Sequence, residues 1–515
     1  MSGKAVKRER YYLSSFFWST LTKVLNAAVG FISVPLLMGL FGRAEYGILT
    51  LAMSCNAYMH LLDLGTNNGA VRFFSGWRAE GKGDMISKVA HTNITFYGIV
   101  ALINAAVMVL LAFCGESLFS ISHSQFLILR WCLLSIAVLS VFSWGASTFS
   151  QLLISDMQMA FTQKMQFVQV LLKIVLIVIT LKAPLSLQWY FFLLTLLTAS
   201  LIIPYAIKCR RDRLIDNFKP GFWWPEFKVV LVFSLSLFAL SFFQVTATES
   251  RPIVLGICIP DSANTLTDFK IISVVPSLII TIGGAFSSIF IPSTSEMVAR
   301  GEQDRIERFA YKWTRYTSVI ANVLCVPFIL CASEMLSAYV GEENAHLGIW
   351  MILWCITVLV QIHTTPGNSL VIAYGKTRAL VITTAAACLL SIVLNVLLCR
   401  HFGVGSAVIA YLIYVLIVIG SYYLVYYRKL MGLSRSRMAL SFLAPTLTAF
   451  AVMAICMLVV KISPESFGGM PRRLAFILIC LVKTACWIIP YGLILLATRQ
   501  VRLSEFKELK PVKQQ

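Results

Sequence analysis

The chain is 515 residues long, 58% hydrophobic and only 13% charged, with a mean hydropathy of +0.81. Soluble proteins carry about 25% charged residues, and here the apolar surplus is gathered into runs such as Phe31–Leu40, Leu171–Leu181 and Leu389–Leu398, so a soluble globular protein is excluded. The formal charge of +20 would suit nucleic acid, but its distribution along the chain follows membrane topology instead, which argues against a nucleic-acid partner.

About 20 apolar residues at about 1.5 Å each match the ~30 Å hydrocarbon layer. A basic cytosolic leader (1–13) precedes the first run, which is too long for a signal peptide and lacks an A-x-A cleavage pattern. Spans are expected near 14–41, 48–74, 89–113, 126–152, 165–182 and 189–207. A basic, Trp-containing segment, KCRRDRLIDNFKPGFWWPEFK (208–228), follows and reads as a cytosolic linker lying along the interface. Further spans are expected near 229–258, 268–293, 313–339, 347–372, 379–399 and 405–427, then two more near 440–460 and 474–497, ahead of a cytosolic tail (498–515). Most of the 43 Lys and Arg residues fall in segments on the side of the N-terminus. By the positive-inside rule that side is the cytosol, and both termini belong there. The thirteen cysteines lie mostly within apolar runs, with no C-x-x-C pair and no pattern of an extracellular disulfide framework, so they read as small core residues.

Two loops are nearly the same. Ala79–Lys88 (AEGKGDMISK) and Ala299–Arg308 (ARGEQDRIER) both fit A-x-G-x-x-D-x-I-x-[K/R], 220 residues apart. Thr66–Ala70 (TNNGA) pairs with Thr281–Ala285 (TIGGA) at an offset of 215, and Pro35–Gly39 (PLLMG) with Pro252–Gly256 (PIVLG) at 217. Six spans separate the loops, so both face one side, as in a parallel repeat about the membrane normal. The expected fold is therefore an all-α polytopic membrane protein of about 14 helices. It has two six-helix lobes (14–207 and 229–427), joined by the linker 208–228, and an extra helix pair (428–497). The plainer alternative is that G-x-x-D only caps helices after membrane turns.

A charge at the centre of a membrane helix costs about 2.5–3.5 kcal/mol, so each one asks for a reason. Lys23 shares a helical face with Ser19, Asn26, Gly30 and Ser33; span two carries Asn56, His60, Asp63 and Asn67 in the same way. Gln244, Thr248 and Arg251 mark span seven, and Lys270, Ser273, Ser277 and Thr281 mark span eight. Such stripes at equivalent places in the two repeats are expected to line a hydrated cavity. Lys23, Arg251 and Lys270 would neutralise a pyrophosphate there, while amides and hydroxyls contact sugars. Against this, Lys23 can snorkel to the cytosolic interface, about 13 Å away. Arg251 can pair with Asp63, Asp268 or Glu249, and Lys270 can be an interface residue. Arg130, Lys173 and Lys483 are explained as well by ties within the helix bundle as by function.

The stretch VPLLMGLFGRAEYGILTLAMSCNAYMHLLDLGTNNGAVRFFS (34–75) resembles the opening of the polysaccharide exporters, the Wzx-like O-antigen flippases of the multidrug/oligosaccharidyl-lipid/polysaccharide superfamily. FIPSTSEMVARGEQDRIERF (290–309), LVIAYGKTRAL (370–380) and LNVLLCRHFGVGSAVIAYLI (394–413) are similar to that family's second half. The resemblance covers spans one to twelve. It implies V-shaped lobes, alternating access and export of an undecaprenyl-linked glycan across a bacterial inner membrane. The partners it implies are the lipid-linked glycan, H+ or Na+ as coupling ion, and polysaccharide polymerase or assembly proteins. It further implies an acid just before the I-x-L-G stretch. This chain has ESRPIVLG (249–256), which makes Glu249, beside Asp63, a candidate for coupling and leaves the coupling mechanism open.

No cofactor, metal site or catalytic residue is indicated. GKT at 375–377 lacks the first glycine of a Walker A loop, because Leu370 stands there. A drug or metabolite antiporter of the same superfamily is the near alternative; the paired cations argue against it. A membrane glycosyltransferase or polymerase is the alternative of another class, and it needs larger outer loops than GRAEYG (42–47) or GEENAH (341–346).

Overall fold

The computed structural model describes residues 3–183 and 185–501, and every regular element among them is helical. The first two residues of the expected leader, and the expected tail beyond 501, lie outside the described residues. In chain order the helices are α1 (Gly3–Phe41), α2 (Arg43–Met59), α3 (Thr66–Ala79), α4 (Gly83–Cys114), α5 (His123–Ser155) and α6 (Met159–Lys182). They continue with α7 (Leu187–Ala199), α8 (Ile202–Arg211), α9 (Trp224–Cys258), α10 (Ala263–Ala299), α11 (Gln303–Leu330) and α12 (Ala332–Val340). The last six are α13 (Gly348–Ile362), α14 (Thr365–Ala373), α15 (Arg378–Phe402), α16 (Val404–Ser421), α17 (Arg435–Val459) and α18 (Arg472–Ala497).

Among the described residues, twelve stretches are helical, long and apolar enough to cross a membrane, and thirteen if α9, bent by 53° between Leu235 and Phe238, is one span. The chain is a multi-pass membrane protein. The difference from the fourteen expected spans lies at 48–74, where α2 gives way to a short 3-10 turn, His60–Asp63, and then to α3. The interruption is local chemistry. Leu64 (φ 51°) and Gly65 (φ 72°) are both left-handed, which no α-helix accommodates. Thr66 Oγ1 then donates to the Asp63 carbonyl, and Asp63 Oδ2 accepts from the Asn67 amide at the start of the new helix.

The chain forms two compact units, one of residues 1–267 with 396–403, the other of 268–395 with 404–515. In the first, α4 lies along α5, α1 along α6, and α5 also meets α2, α3, α7 and α8. α9, which the repeat expects to open the second lobe, packs within this first unit on α2, α3 and α4. Phe74, Trp77, Val89, Leu152, Tyr205 and Val230 form a core where α3, α4, α5, α8 and α9 converge. Gly47 allows α2 to touch the first residue of α10: a Cβ there would lie 1.9 Å from the Ala263 carbonyl oxygen.

In the second unit α11 packs on α13, α14, α17 and α18. The extra pair is not loosely attached. Asn322 Nδ2 donates to Thr446 Oγ1 at 3.3 Å and Lys483 pairs with Glu334 at 2.5 Å, while within the pair Trp487 Nε1 donates to the Ala449 carbonyl at 3.0 Å. After α16 the chain passes into a π-helical stretch, Tyr422–Leu430. Its tyrosines are used as donors and acceptors: Tyr422 donates to Asn368 at 3.0 Å, and Tyr426 accepts from the Leu380 amide at 2.7 Å.

The two like-written loops fold alike. Gly81 (φ 74°) and Gly301 (φ 66°) are left-handed residues just past the ends of α3 and α10. The Gly81 amide bonds to Arg78 O and the Lys82 amide to Trp77 O; 220 residues on, Gly301 bonds to Val298 O and Glu302 to Met297 O. This is a Schellman-type C-cap, and it explains why the glycine is kept in both copies. Asp84 and Asp304 lie in the first turns of α4 and α11, not at their N-caps, so N-capping by aspartate does not account for the match. The TNNGA and TIGGA copies diverge. α10 runs unbroken through 281–285, because the residues matching Asp63, Leu64 and Gly65 are Leu278, Ile279 and Ile280. These carry neither the side-chain acceptor nor the glycine that the break in the first copy requires.

Candidate functional site

The break in the second crossing is held by a connected set of polar side chains. Asp63 is half-buried at its centre. Tyr97 of α4, fully buried, donates its hydroxyl to Asp63 Oδ1 at 2.5 Å. Thr66 Oγ1 lies 3.1 Å from the same oxygen and 2.9 Å from the Tyr97 hydroxyl. Gln151 of α5 donates from Nε2 to Tyr97 at 2.7 Å, and Asn93 Nδ2 donates to Gln151 Oε1 at 2.8 Å. Among the described residues, Asp63 Oδ2 has one long contact, 3.3 Å, from the Asn67 amide. Around this network the Tyr97 ring stacks on Trp144 at 5.9 Å, and the His60 ring lies 5.4 Å from the same indole.

Asp63 Oδ1 thus accepts from the Tyr97 hydroxyl with Thr66 Oγ1 close by, and Oδ2 faces the Asn67 amide. Asn93 Oδ1, buried and without a hydrogen-bond partner among the described residues, adds a further acceptor to the set.

The break also meets α9. A Cβ on Gly69 would lie 2.0 Å from Ser234 Oγ, and one on Gly65 would lie 3.0 Å from the Ser234 carbonyl. Two interrupted helices thus approach each other near their breaks, glycines on one side meeting Ser234 on the other. One turn past Gly69, Arg72 places its guanidinium over the Phe233 ring, 4.1 Å from the centroid.

The other residues proposed from sequence are more dispersed. Lys23 and Asn26 are exposed on α1, and Lys23 has no ion-pair partner among the described residues. Asn56 is half-buried on α2 and Asn67 is exposed at the start of α3. On α9, Gln244 is exposed, Glu249 half-buried, and Arg251 buried at 6% exposure with Nε donating to the Thr248 carbonyl at 3.2 Å. Lys270 is half-buried in the second unit. The first unit therefore holds every candidate but Lys270, and within it the Asn67 amide lies 3.3 Å from Asp63 Oδ2.

Sequence reasoning missed Asn93, Tyr97 and Gln151. A signal was present: Asn93 and Tyr97 stand four apart in an apolar run, the spacing that puts them on one helical face. Arg130 and Lys483, which the sequence leaves open between bundle ties and function, each make a contact to a neighbouring helix. Arg130 Nε bonds the Ala112 carbonyl at 2.9 Å, and Lys483 pairs with Glu334.

Comparison with known proteins supplies context. A family model described as "Polysaccharide biosynthesis protein" matches residues 12–298, more than half of the chain. Among solved structures, the lipid II flippase MurJ in an inward closed conformation superposes with a TM-score of 0.67 at 12% identity, covering 95% of this chain and 99% of that one. An inward-facing multidrug resistance MATE family transporter of the MOP superfamily gives 0.62 at 13% identity, covering 82% and 95%. A single-site mutant of the Vibrio cholerae MATE transporter VcmN gives 0.54 at 13%, covering 83% and 98%. At such identities the likeness is one of fold. No curated protein matches the chain.

Proposed function

The chain belongs to the polysaccharide biosynthesis protein family, and from that premise we propose that it is a flippase. Its cargo would be an undecaprenyl-pyrophosphate-linked oligosaccharide, carried from the inner to the outer leaflet of a bacterial inner membrane. Both termini would be cytosolic, as the placement of basic residues supports. O-antigen and related surface polysaccharides are the products served, with a polymerase or assembly protein receiving the cargo outside.

The observation that carries the reading is Lys23, an exposed ammonium on a membrane helix with no acid paired to it among the described residues. Such a group costs about 2.5–3.5 kcal/mol at mid-membrane, and an anionic headgroup offsets that cost when it binds. Arg251 and Lys270 are the further cations proposed for the pyrophosphate; Asn26, Asn56, Asn67 and Gln244 are proposed for the sugars. Alternating access carries the headgroup through while the acyl chain stays in lipid. Outward movement of each negative charge gains about 2.3 kcal/mol per 100 mV of membrane potential. Asp63 is the coupling residue we favour for H+ or Na+, because its Oδ2 is weakly engaged within a network that orients Oδ1. Glu249 is the alternative.

A MATE-type antiporter is the second reading, favoured by the shared fold. One experiment separates the two. In cells lacking the protein, lipid-linked glycans are extracted and assigned to a leaflet. Accumulation on the cytosolic leaflet, relieved by wild type and not by Lys23→Ala, supports the flippase. Normal glycans together with lost export of cationic dyes would overturn it.

A further inference from the structure

The repeated loop is covered in its second copy and open in its first. In the second unit Gln303, the first residue of α11, donates from Nε2 to the Met431 carbonyl at 2.5 Å. A Cβ added at Gly432 would meet the same Nε2 at 3.3 Å, so this side chain fills the space over the glycine. The Ser434 amide donates to the Tyr311 hydroxyl at 2.9 Å, and Arg437 lies 3.4 Å from Glu307. The segment that follows the π-helical stretch is thus closed down on the loop.

In the first unit the segment that follows α8 leaves a cleft of about 440 Å³ against the loop. Exchanges at matching positions account for it. Gly83 stands where Gln303 fills the second copy, and a Cβ on Gly83 would meet nothing within 4 Å. Ser87 stands for Glu307, Arg78 for Val298 and Arg213 for Gly432, all at offsets of 219 or 220 residues. The match extends to the backbone. Arg213 (φ 52°) and Gly432 (φ 67°) are both left-handed, and the amides that follow them turn back to Cys209 O and Tyr427 O. Glycine takes that conformation freely and arginine does not, so Arg213 is held at the cleft against its backbone preference. From the second copy to the first, these positions lose an acid and gain two guanidinium groups.

Arg78 is anchored at this cleft by one bond, from Nη1 to Asp156, whose other oxygen accepts from Gln158 at 2.8 Å. Its Nε and Nη2 have no acceptor among the described residues; Arg213 has no ion-pair partner there, and the Ser87 hydroxyl no hydrogen bond. No side chain caps the start of α4, where Gly83 meets the cleft. Ile86 and Ile215, both buried, add apolar wall, and Asp216 is the acid among the lining residues. We propose that the cleft binds a phosphate group, with Arg78, Arg213 and Ser87 donating to its oxygens. The phosphate belongs to an anionic lipid headgroup or to a soluble phosphate compound. Phe222, Trp223 and Trp224, further along the same segment, are exposed aromatics of the kind that sit at the lipid–water boundary, which sets the cleft at headgroup level. That this is the cytosolic leaflet rests on the orientation proposed above; the binding chemistry does not.

The test uses the full-length protein, delipidated in one neutral detergent, so its outcome is independent of orientation and of transport. Native mass spectrometry follows titration with phosphatidylglycerol and with phosphatidylcholine, and thermal unfolding follows titration with inorganic phosphate at constant ionic strength. The first phosphatidylglycerol should bind about tenfold more tightly than phosphatidylcholine, and Arg213→Gly should weaken it about tenfold. Gly83→Gln, which copies the side chain of the second unit into the cleft, should weaken it similarly, and Asp216→Asn should tighten it. Arg213→Gly suits the left-handed backbone, so its loss of binding is not a loss of fold; an unfolding midpoint no lower than wild type checks this. A phosphate-dependent rise in melting temperature that both weakening variants abolish, without a lipid preference, assigns the cleft to a soluble phosphate compound. If wild type shows no phosphate response, and either no lipid preference or one that Arg213→Gly, Gly83→Gln and Asp216→Asn leave unchanged, the proposal is overturned.

Discussion

Removing one oxygen tests whether the break in the second crossing is held as a unit. Tyr97→Phe deletes the donor to Asp63 Oδ1 at 2.5 Å, the acceptor for Gln151 Nε2 at 2.7 Å and the contact with Thr66 Oγ1 at 2.9 Å. The ring keeps its stack on Trp144, so packing is preserved. A hydrogen bond to a charged group contributes about 1.5–3 kcal/mol, and a buried amide left unpaired costs about 1–3 kcal/mol. The expected destabilisation, the sum of those two terms, is about 2.5–6 kcal/mol. Gln151→Leu alone leaves Asn93 without its acceptor and Tyr97 without its donor, about 1–3 kcal/mol by the same rule. In the double variant the amide stranded by the first change is gone, so the two costs should fall short of additivity by about 1–2 kcal/mol. Denaturant titration of the four proteins in one detergent gives the cycle. Hydrogen–deuterium exchange over residues 60–67 should quicken in Tyr97→Phe before any other region. Costs that add to within about 0.5 kcal/mol, or an unchanged exchange rate at the break, would refute the view that these side chains act together.

Other outcomes follow from close approaches and from charge. In Gly47→Ala the new Cβ meets a backbone carbonyl at 1.9 Å, which cannot rotate away, so a loss of about 3 kcal/mol or more is expected, read as a collapse of the monodisperse fraction on size-exclusion chromatography. Gly69→Ala meets only Ser234 Oγ at 2.0 Å; the second change Ser234→Ala should restore most of the lost thermal stability, and failure to do so would place the strain elsewhere. Glu334→Gln strands Lys483, a pair with side chains 15% and 25% exposed, and should cost about 3–5 kcal/mol, whereas the apolar double replacement Glu334→Leu with Lys483→Met should unfold close to wild type.

Much of this architecture is legible in sequence because hydrocarbon thickness sets run length, and run length survives without tertiary information. The repeated loop is legible for a similar reason. A glycine that must be left-handed to close a Schellman turn leaves a mark at a fixed offset, and Gly81 and Gly301 keep it. The second crossing is misread because its composition over 48–74 looks like one apolar run, while the break depends on three consecutive residues, Asp63, Leu64 and Gly65. Of the polar residues chosen for the site, Asp63 sits within a built network, but its partners come from α4 and α5, across separations of 34 residues to Tyr97 and, from there, 54 to Gln151. No local pattern reports contacts at that distance. For Arg251 the sequence offers a cavity group or a structural tie; its burial and its bond to Thr248 bear on the second role as much as the first.

The interrupted second crossing has a consequence for how the protein is made. At about 1.5 Å per residue, the 17 residues of α2 and the 14 of α3 each fall short of a ~30 Å bilayer. The join between them exposes backbone groups that lipid cannot satisfy. A ribosome-bound chain that has emerged only as far as α3 therefore has no stable way to cross at this point. Tyr97 and Gln151, which close the network around Asp63, are synthesised later. Topology here is completed by the following hairpin, α4 and α5, and nascent chains truncated before residue 151 should leave the loop at 79–83 on either side of the membrane.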